Sequence, residues 1–512
     1  MKKSTIPSVG RKRNMFAIEI NRENYEYDIQ ALVKSFYPEE QVAVLLPESR
    51  PERRAELEDK VRISLKVEEM EQPGQSGQPK PAEKDSVCAT LTVDGRVYRF
   101  TGNDGGGADK SAMKRFFYEV LSKETGRTLP WGNLIGIRPT KIAYSMLEEG
   151  KSGEEIIAHY RQNHSTSEEK AKLALEIAQR ERELLSGVHY ENGYSLYIGI
   201  PFCPTTCLYC SFTSYAIGAY RKQVEAYVDS VIKEMEYVAE AHKSQILDSV
   251  YIGGGTPTTL EAEQLDRLIT RLKELFDFST VQEFTVEAGR ADSISEEKLQ
   301  VLYRHGVTRI SVNPQTMKQE TLDIIGRRAT VKQVEEAYAL ARKVGFDNIN
   351  MDLILGLPGE LEEDVRRTIE RVVELAPDSL TVHSLAIKRA SRLNQWIQEH
   401  GVSMLHNTDE TMEIAAEGAR RLGLVPYYLY RQKNMSGNFE NVGYAREGKL
   451  GLYNILIMEE KQTIVALGAG SITKRVFPDG RIERCENVKD VTLYIEQTDE
   501  MIERKRKLFS EK

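Results

Sequence analysis

The sequence has few of the features that mark membrane, secreted or disulfide-rich proteins. No apolar run approaches the roughly 18 residues that a membrane-spanning helix needs. The basic N-terminus lacks the apolar core of a signal peptide. Five cysteines in 512 residues are too few for a disulfide framework, and Cys88 and Cys485, alone in sequence, are expected to be free thiols. We therefore expect a cytoplasmic protein without a membrane span.

An excess of positive charge is also missing. The formal net charge of -8 argues against nucleic acid as a partner, although a local basic patch could still bind an anionic ligand. A hydrophobic content of 40% and a charged content of 29% are typical of a globular protein. Because 512 residues exceed one ordinary domain, we predict three: an N-terminal α+β domain (1–190), a core of βα repeats (191–390) and an α+β C-terminal extension (391–512) that completes the active site.

The N-terminal domain mixes strand-like and helical patterns. The Gly, Pro and Gln content of residues 71–85 indicates a flexible linker or a long hairpin connection. A hairpin that turns at Asp94-Gly95 follows. The predicted strands cover 15–20, 42–46, 61–67 and the two arms of 87–100, and the predicted helices cover 27–36, 110–125 and 168–185.

From residue 194 onward, β-prone runs alternate with amphipathic segments, as in βα repeats around a parallel sheet. This spacing predicts an α/β fold of the partial TIM-like (β/α)6 type, with the active site at the carboxyl ends of the strands. The six predicted strands are 196–200, 249–252, 283–287, 309–312, 348–353 and 379–384, and the helices between them are 223–241, 262–275, 296–305, 331–344 and 362–375.

Three of the five cysteines stand together directly after the first of these strands. Cys203, Cys207 and Cys210 have the spacing C-x-x-x-C-x-x-C. Zinc usually requires four ligands and cytosolic disulfides are rare, so neither suits an odd triplet. A 4Fe–4S cluster held by three thiolates fits better, because its fourth iron stays open for another ligand. The alternative is three buried and inert cysteines.

The triplet, with Tyr209 before its last cysteine, resembles the cluster motif of the radical S-adenosylmethionine (SAM) superfamily. In that superfamily the amino and carboxylate groups of SAM chelate the open iron, and the core is a (β/α)6 barrel. After the second strand, G-G-G-T-P (253–257) resembles the motif whose backbone binds the SAM amino group. The resemblance implies that Tyr209, Gly254, Gly255 and Thr256 bind SAM, whereas the glycine run alone could form only a tight turn.

More of the chain resembles one group of that superfamily, the oxygen-independent coproporphyrinogen III oxidases, also called coproporphyrinogen dehydrogenases. The similar motifs, over somewhat more than half the chain, are L-Y-I-G-I-P-F-C, G-G-G-T-P-T, I-S-V-N-P-Q, D-L-I-L-G-L-P and L-G-A-G-S-I. W-G-N-L-I-G-I-R-P-T-K (131–141) is similar to a long-chain, HemZ-type branch. The resemblance implies a first SAM site at Tyr197, Gly254, Glu287, Ala386 and Ile472, and a second at Gln315, Arg327 and Asp352. Asp352 also needs a partner of some kind, because an unpaired charge inside an apolar strand is costly.

The implied reaction forms protoporphyrinogen IX from coproporphyrinogen III. Reductive cleavage of SAM would give a 5′-deoxyadenosyl radical that takes hydrogen from a propionate side chain, and carbon dioxide would leave as the vinyl group forms. A reductase, flavodoxin or ferredoxin would supply the electron. Basic side chains could clamp the carboxylates of this tetrapyrrole and aromatic ones could line its face, although solvated cations and core aromatics are the alternatives. The candidates are Arg389, Arg392 and Arg431, and Tyr427, Tyr428 and Tyr430. Separately, Arg138 and Lys141 could hold a carboxylate-rich ligand, and the alternative is a turn in which Pro139 opens the next helix and these side chains are solvated. The C-terminal helix, predicted over 488–508, ends in E-R-K-R-K, which we interpret as a solvated face.

Three positions depart from the related sequences. Phe212 stands where the oxidases have a fourth cysteine, and Gly199 replaces a histidine. A sister branch of heme chaperones, the HemW type, carries H-N-x-x-Y-W, and Glu440 takes the place of its histidine in F-E-N-V-G-Y. Two alternatives to the dehydrogenase therefore stay open: a heme-binding chaperone, and a radical SAM enzyme that acts on another substrate.

Overall fold

The computed structural model describes residues 15–38, 40–69, 86–103, 108–136, 138–387, 391–401, 404–431 and 439–510. The chain forms two compact units. The first comprises Met1–Leu175, Gln395–Met404 and Arg431–Glu440, and the second comprises Glu176–Asn394, Leu405–Tyr430 and Asn441–Lys512. The division into three domains with boundaries at residues 190 and 390 stays a prediction. Most of the predicted C-terminal extension belongs to the second unit, together with the βα repeats. The linker predicted over 71–85 lies outside the described residues.

The first unit contains a mixed five-stranded sheet in the order β2-β1-β3-β4-β5. Strand β1 pairs in parallel with β2 and β3, and β4 pairs antiparallel with β3 and β5 around the predicted turn at Asp94-Gly95, where both φ angles are positive. Strands β1–β5 are Met15–Ile20, Gln41–Leu45, Val61–Glu69, Ser86–Val93 and Arg96–Asn103, and helices α1–α6 are Glu26–Phe36, Pro51–Leu57, Ala108–Thr125, Thr140–Glu148, Gly153–His164 and Glu168–Leu185. The boundary between the two units falls inside α6, after Leu175. Apolar faces of the sheet and of α1 and α3 form one core with Ile18, Leu32, Leu65, Leu91 and Phe117.

The second unit is built on six consecutive parallel strands, and their almost entirely buried sequences are typical of parallel sheets. All six predicted strands and all five predicted helices are present, displaced by at most a few residues. The parallel strands are β6 Gly193–Ile200, β9 Ile246–Gly254, β10 Glu283–Glu287, β11 Arg309–Ser311, β12 Ile349–Leu355 and β13 Ser379–Ser384, and the two-residue strands β7 Phe202–Cys203 and β8 Tyr215–Ala216 lie between β6 and α7. The helices are α7 Val224–Ala241, α8 Ala262–Leu275, α9 Glu296–Arg304, α10 Gln319–Ile324, α11 Val331–Val344 and α12 Glu362–Leu375.

The C-terminal part of the chain widens this sheet at both edges. Strand β15 pairs antiparallel with β13 and then with β14, while β16 pairs in parallel with β6 and leads into the antiparallel strands β17 and β18. The single C-terminal helix predicted over 488–508 is wrong, because the structure has two helices that break at Gln497. Strands β14–β18 are Val425–Tyr430, Asn441–Ala445, Thr463–Leu467, Ile472–Val476 and Ile482–Glu486, and helices α13–α17 are Leu393–His400, Asp409–Arg421, Leu452–Glu459, Val491–Glu496 and Thr498–Ser510.

Within the described part of the chain, every helix is too short or too polar to cross a bilayer.

Candidate active site

The parallel register places predicted site residues at the carboxyl ends of neighbouring strands. Ile200 at the end of β6 pairs with Gly254 at the end of β9, and Glu287 closes β10 opposite Ser311 of β11. Asp352 pairs with Thr381 of β13, but it lies in the middle of β12 and not at its end, because the strand continues to Leu355. The edge of the sheet that was expected to hold the active site therefore carries these polar groups and the cysteine loop.

The cysteine loop follows β6 and is anchored at several points. Strands β7 and β8 pair Cys203 with Ala216 and so close the loop at its base. The Cys210 amide donates to the Cys207 carbonyl oxygen (3.2 Å), and the Leu208 amide donates to the Ile325 carbonyl oxygen (2.9 Å). Phe212, where oxidases have their fourth cysteine, is 72% exposed.

The three thiols differ in exposure, since Cys207 is buried and Cys203 and Cys210 are half-buried. The Cys203 sulfur lies 3.4 Å from the Thr256 hydroxyl, which links the loop to the G-G-G-T-P segment. Burial and, to a smaller extent, the neighbouring thiols Cys210 and Cys207 raise the pKa of Cys203 to about 11, although the Thr256 hydroxyl opposes this shift. A thiol with such a pKa becomes a thiolate when a metal centre takes the place of its proton.

Two guanidinium groups lie at the Cys207 thiol. Arg290 Nη1 is 3.6 Å from Cys207 Sγ, and its other nitrogens donate to both carboxylate oxygens of Asp292 (2.9 and 2.7 Å). Arg327 interacts with Cys207 and Tyr209; burial lowers the pKa of Arg327, but these two partners outweigh it and raise that pKa. Sequence reasoning missed Arg290, whose only signal was its place three residues after Glu287.

These side chains fit a 4Fe–4S cluster. Among the described residues, no three His, Cys, Asp or Glu side chains converge as a single metal ion would require. A cubane cluster makes a different demand, because each of its thiolates bonds a separate iron atom. Three sulfur donors in one loop, with two cations beside the most buried thiol, offer the charge and the ligand type that such a cluster needs.

The glycine segment after β9 packs directly against the start of the cysteine loop. The Gly255 amide donates to the Ile200 carbonyl oxygen (2.8 Å) and the Thr256 amide donates to that of Phe202 (2.7 Å). A Cβ atom at Gly255 would lie 2.6 Å from the Phe202 oxygen, and Gly254 has a φ of +108°. Side chains at these two positions would therefore push the segment away from the loop.

Glu287 lies beside a stack of three tyrosines. Tyr251 donates its hydroxyl to Glu287, and the Tyr251 ring stacks on those of Tyr453 (4.4 Å) and Tyr197 (6.2 Å). Burial raises the pKa of Glu287 to about 7, although the Tyr251 hydroxyl opposes this shift; nearby Asp352 adds to it. Tyr251 and Tyr453 were not predicted, and nothing in the sequence connects Tyr453 of α15 with this group.

Asp352 is the centre of a second polar group. It accepts hydrogen bonds from the side-chain amides of Asn313 and Asn350, both at 2.7 Å, and His383 Nε2 lies 3.9 Å away. Burial raises the pKa of Asp352, but hydrogen bonds from His383, Asn350 and Thr381 outweigh it, so the pKa lies below its usual value. The expectation that Asp352 has a partner is confirmed, and His383 was missed.

The other two residues of the predicted second SAM site are hydrogen-bonded to members of the polar group around Asp352. The Gln315 amide donates to the Asp352 carbonyl oxygen (2.9 Å), and Gln315 has a φ of +68°. Arg327 donates from Nη1 to the Asn313 carbonyl oxygen, while its buried Nε has no hydrogen-bond partner among the described residues. Ala386 lies half-buried just beyond β13, and Ile472 is 41% exposed at the start of β17.

The basic residues predicted to bind the substrate lie in different environments. Arg431 is buried and donates to the Leu134 carbonyl oxygen, and burial lowers its pKa to about 10, so its interpretation as an open clamp was wrong. Arg392 donates to the Thr206 carbonyl oxygen in the cysteine loop. Arg389 lies outside the described residues. In the first unit Arg138 is half-buried and Lys141 exposed, beside Pro139 at the N-cap of α4.

The three tyrosines of β14 also differ. Tyr427 and Tyr428 are buried core residues, and the Tyr427 hydroxyl accepts a hydrogen bond from Asn454 (3.0 Å), so they do not form the open face that was considered for them. Tyr430 is half-buried, with its hydroxyl 3.4 Å from His383 Nδ1. Tyr430 therefore joins the polar group around Asp352.

The fold and the cysteine loop define a radical SAM protein, and comparisons with known proteins agree. The sequence profile of the radical SAM superfamily matches residues 197–372. The chain is 41% identical over 409 residues, 78% of its length and 82% of the relative's, to the oxygen-independent coproporphyrinogen-III oxidase-like protein HemZ of Bacillus subtilis (strain 168). It is 32% identical over 278 residues (54% and 68%) to the heme chaperone HemW of Lactococcus lactis subsp. lactis (strain IL1403).

The chain belongs to the radical SAM superfamily and, within it, to the HemZ-type group of oxygen-independent coproporphyrinogen III oxidase-like proteins. Its cofactors are accordingly a 4Fe–4S cluster and SAM. Among solved structures it is similar to coproporphyrinogen III oxidase (HemN) from Escherichia coli, with a TM-score of 0.49 and 23% identity over 62% of this chain and 72% of that one.

Proposed function

We propose that this protein is a coproporphyrinogen dehydrogenase that converts coproporphyrinogen III to protoporphyrinogen IX without oxygen, in the cytoplasm. Relatives named as oxidase-like proteins and as heme chaperones both match the chain, so likeness alone leaves enzyme and chaperone open. The observation that carries the proposal is the environment of Glu440, at the position where the chaperone motif has its histidine.

The Glu440 side chain is buried in the interior of the first unit. Its side chain is 1% exposed and accepts hydrogen bonds from the Trp131 indole (2.7 Å) and the Lys170 ammonium (2.9 Å). Burial lowers the pKa of Lys170, but Glu440 outweighs it and raises that pKa, which favours the charged ammonium. A buried carboxylate with two internal donors offers no imidazole to a heme iron, which favours the enzyme over the chaperone.

In the proposed reaction each of two propionate side chains loses one hydrogen atom and carbon dioxide, and one electron per vinyl group passes to an acceptor. When bound, the cluster and SAM supply the hydrogen abstraction. Cys203, Cys207 and Cys210 would hold the cluster. We assign the first SAM to the group of Tyr197, Tyr209, Gly254–Thr256, Glu287, Ala386 and Ile472, with the tyrosine stack excluding water around Glu287.

The second SAM site proposed at Gln315, Arg327 and Asp352 has chemical support. The buried Nε of Arg327, which has no partner within the described part of the chain, offers a donor, and the ionised Asp352 carboxylate offers an acceptor for an amino group. We further propose that a reductase, flavodoxin or ferredoxin reduces the cluster, and that a tetrapyrrole is the substrate.

The proposal is tested by incubating the reconstituted, reduced protein with SAM, coproporphyrinogen III and a cell extract as acceptor source under strict anaerobiosis. Protoporphyrin and 5′-deoxyadenosine are measured by chromatography. Both products are expected, and Cys207→Ala should abolish both together with the brown colour. The matched control is Cys485→Ala, which removes a buried thiol outside the loop and should leave both products.

Three other results would reject parts of the proposal. Deoxyadenosine without protoporphyrin would indicate a radical SAM enzyme with another substrate. Stoichiometric heme binding without either product would indicate the chaperone. Iron and colour that persist in Cys207→Ala would contradict the cluster assignment itself.

A further inference from the structure

The loop between β16 and β17, Gly468–Ala469–Gly470–Ser471, is wedged between the end of β6 and the cysteine loop. A Cβ atom at Gly468 would lie 2.4 Å from the Gly199 carbonyl oxygen, and one at Gly470 would lie 2.7 Å from the Thr213 hydroxyl. The Tyr227 hydroxyl donates to the Gly199 oxygen (2.6 Å) and accepts from the Ala469 amide (3.0 Å). Small shifts of this loop would therefore reach both the cysteine loop and Ile472, which follows it.

An ion pair that is completely shielded from solvent is hydrogen-bonded to the start of this loop. Lys505 Nζ of α17 donates to Glu234 Oε1 of α7 (2.6 Å), and both side chains are 0% exposed. Glu234 Oε2 accepts from the Gly468 amide (2.9 Å) and from the Tyr494 hydroxyl (2.6 Å). Asn487 completes the group, since it donates to Glu234 (2.8 Å) and to the Gly468 carbonyl oxygen (3.0 Å).

The position of Lys505 corrects the interpretation of E-R-K-R-K as a solvated face. Its neighbours Arg506 and Lys507 are exposed, whereas Lys505 points into the unit because of its place on the helix. A buried lysine and a buried glutamate are each costly to maintain, and replacing such a pair by apolar residues is often neutral or stabilising for the fold. The pair therefore calls for a role besides stability, and its direct bond to the Gly468 amide indicates one.

We propose that the Lys505–Glu234 pair is a positioning device for the SAM site. It fixes the Gly468 amide and so holds the 468–471 loop, and with it Ile472, at the end of β6. Helix α17 thereby belongs to the cofactor site although its sequence has no recognised motif. The inference rests on the proposed assignment of Ile472 to the first SAM.

The test compares Lys505→Met with Lys507→Met, the same substitution at an exposed position two residues away. Hydrogen–deuterium exchange follows the Gly468 and Ala469 amides, and anaerobic calorimetry measures SAM affinity of the reconstituted protein. We expect faster exchange of both amides and about tenfold weaker SAM binding in Lys505→Met only. Iron content should stay unchanged in both variants.

The double variant Glu234→Gln/Lys505→Met provides a second test if the single variant is unstable. It removes both charges, but the glutamine oxygen can still accept from the Gly468 amide, so exchange protection and SAM affinity should recover in part. Unchanged exchange in Lys505→Met, or faster exchange with SAM affinity within twofold of the unmodified protein, would overturn the inference. A protein that binds SAM normally but leaves coproporphyrinogen unchanged would refute the proposed function and not this inference.

Discussion

The Arg290 guanidinium lies 3.6 Å from the Cys207 sulfur and is held there by both carboxylate oxygens of Asp292. Because Arg290 is only 3% exposed, water screens its positive charge weakly. Its electrostatic effect at the Cys207 sulfur is therefore strong. A fixed positive charge favours the more negative, reduced form of an iron–sulfur centre.

Replacing Arg290 should therefore lower the midpoint potential of the cluster. For Arg290→Gln we expect a decrease of about 60 mV, the equivalent of a tenfold change in a one-electron equilibrium. A redox titration monitored by electron paramagnetic resonance measures it. The control is Arg328→Gln, an exposed arginine, which should leave the potential unchanged. An unchanged potential in Arg290→Gln, with a full cluster, would show that the cation has no influence on it.

SAM affinity should depend on the protonation of Glu287. Burial raises its pKa to about 7, and the ionised carboxylate favours the positively charged sulfonium of SAM. Affinity should fall by up to about tenfold per pH unit as the pH drops below that pKa, and level off above it. Glu287→Gln should bind SAM weakly with a flat profile between pH 5.5 and 8.5, measured by anaerobic calorimetry. A profile that is as steep in Glu287→Gln as in the unmodified protein would assign the titration to another group.

Glu360 should make the fold less stable at higher pH. It is buried beside Thr316, and burial raises its pKa to about 7 from a usual value near 4.5. Between pH 4.5 and about 7, the folded state therefore keeps the Glu360 proton that the unfolded state loses. The stability that Glu360 contributes is complete below about pH 4.5 and is lost as the pH rises through about 7. Glu360→Gln should raise the free energy of unfolding by about 1 kcal/mol or more at pH 8 relative to pH 5.5. Urea unfolding at the two pH values measures it, and an equal effect at both would contradict the pKa.

The contact between Glu440 and Lys170 should stabilise the first unit strongly. Glu440→Ala removes the buried counter-charge of the Lys170 ammonium, and we expect a loss of about 3 kcal/mol in urea unfolding. Glu169 also pairs with Lys170, at 3.2 Å, but is 72% exposed, so Glu169→Ala should cost less than about 1 kcal/mol. Equal losses in the two variants would show that burial does not set the strength of these pairs.

Local patterns predicted the fold of the second unit well. The six strands and five helices follow from alternating apolar runs and from amphipathic periods that are long enough to recognise. Helix α10 has six residues, fewer than two turns, and left no such period. The break at Gln497 was missed because the apolar positions continue across it.

The candidate site was predictable only where a short motif marked it. The spacing of Cys203, Cys207 and Cys210 indicates cluster ligands. Asp352 is conspicuous because it is a charged residue inside an apolar strand. Arg290 meets Cys207 across 83 residues and Lys505 meets Glu234 across 271, and sequence carries no sign of such pairs. Arg431 was misjudged for the same reason, since its partner Leu134 is 297 residues away.

The most direct test of the central claim is the ratio of 5′-deoxyadenosine to protoporphyrinogen formed during anaerobic turnover. Two deoxyadenosine molecules per protoporphyrinogen are predicted, one for each vinyl group, with none of either product in Cys207→Ala. Deoxyadenosine that accumulates at the same rate with and without coproporphyrinogen III, and with no new vinyl groups, would contradict the assignment of this tetrapyrrole as the substrate.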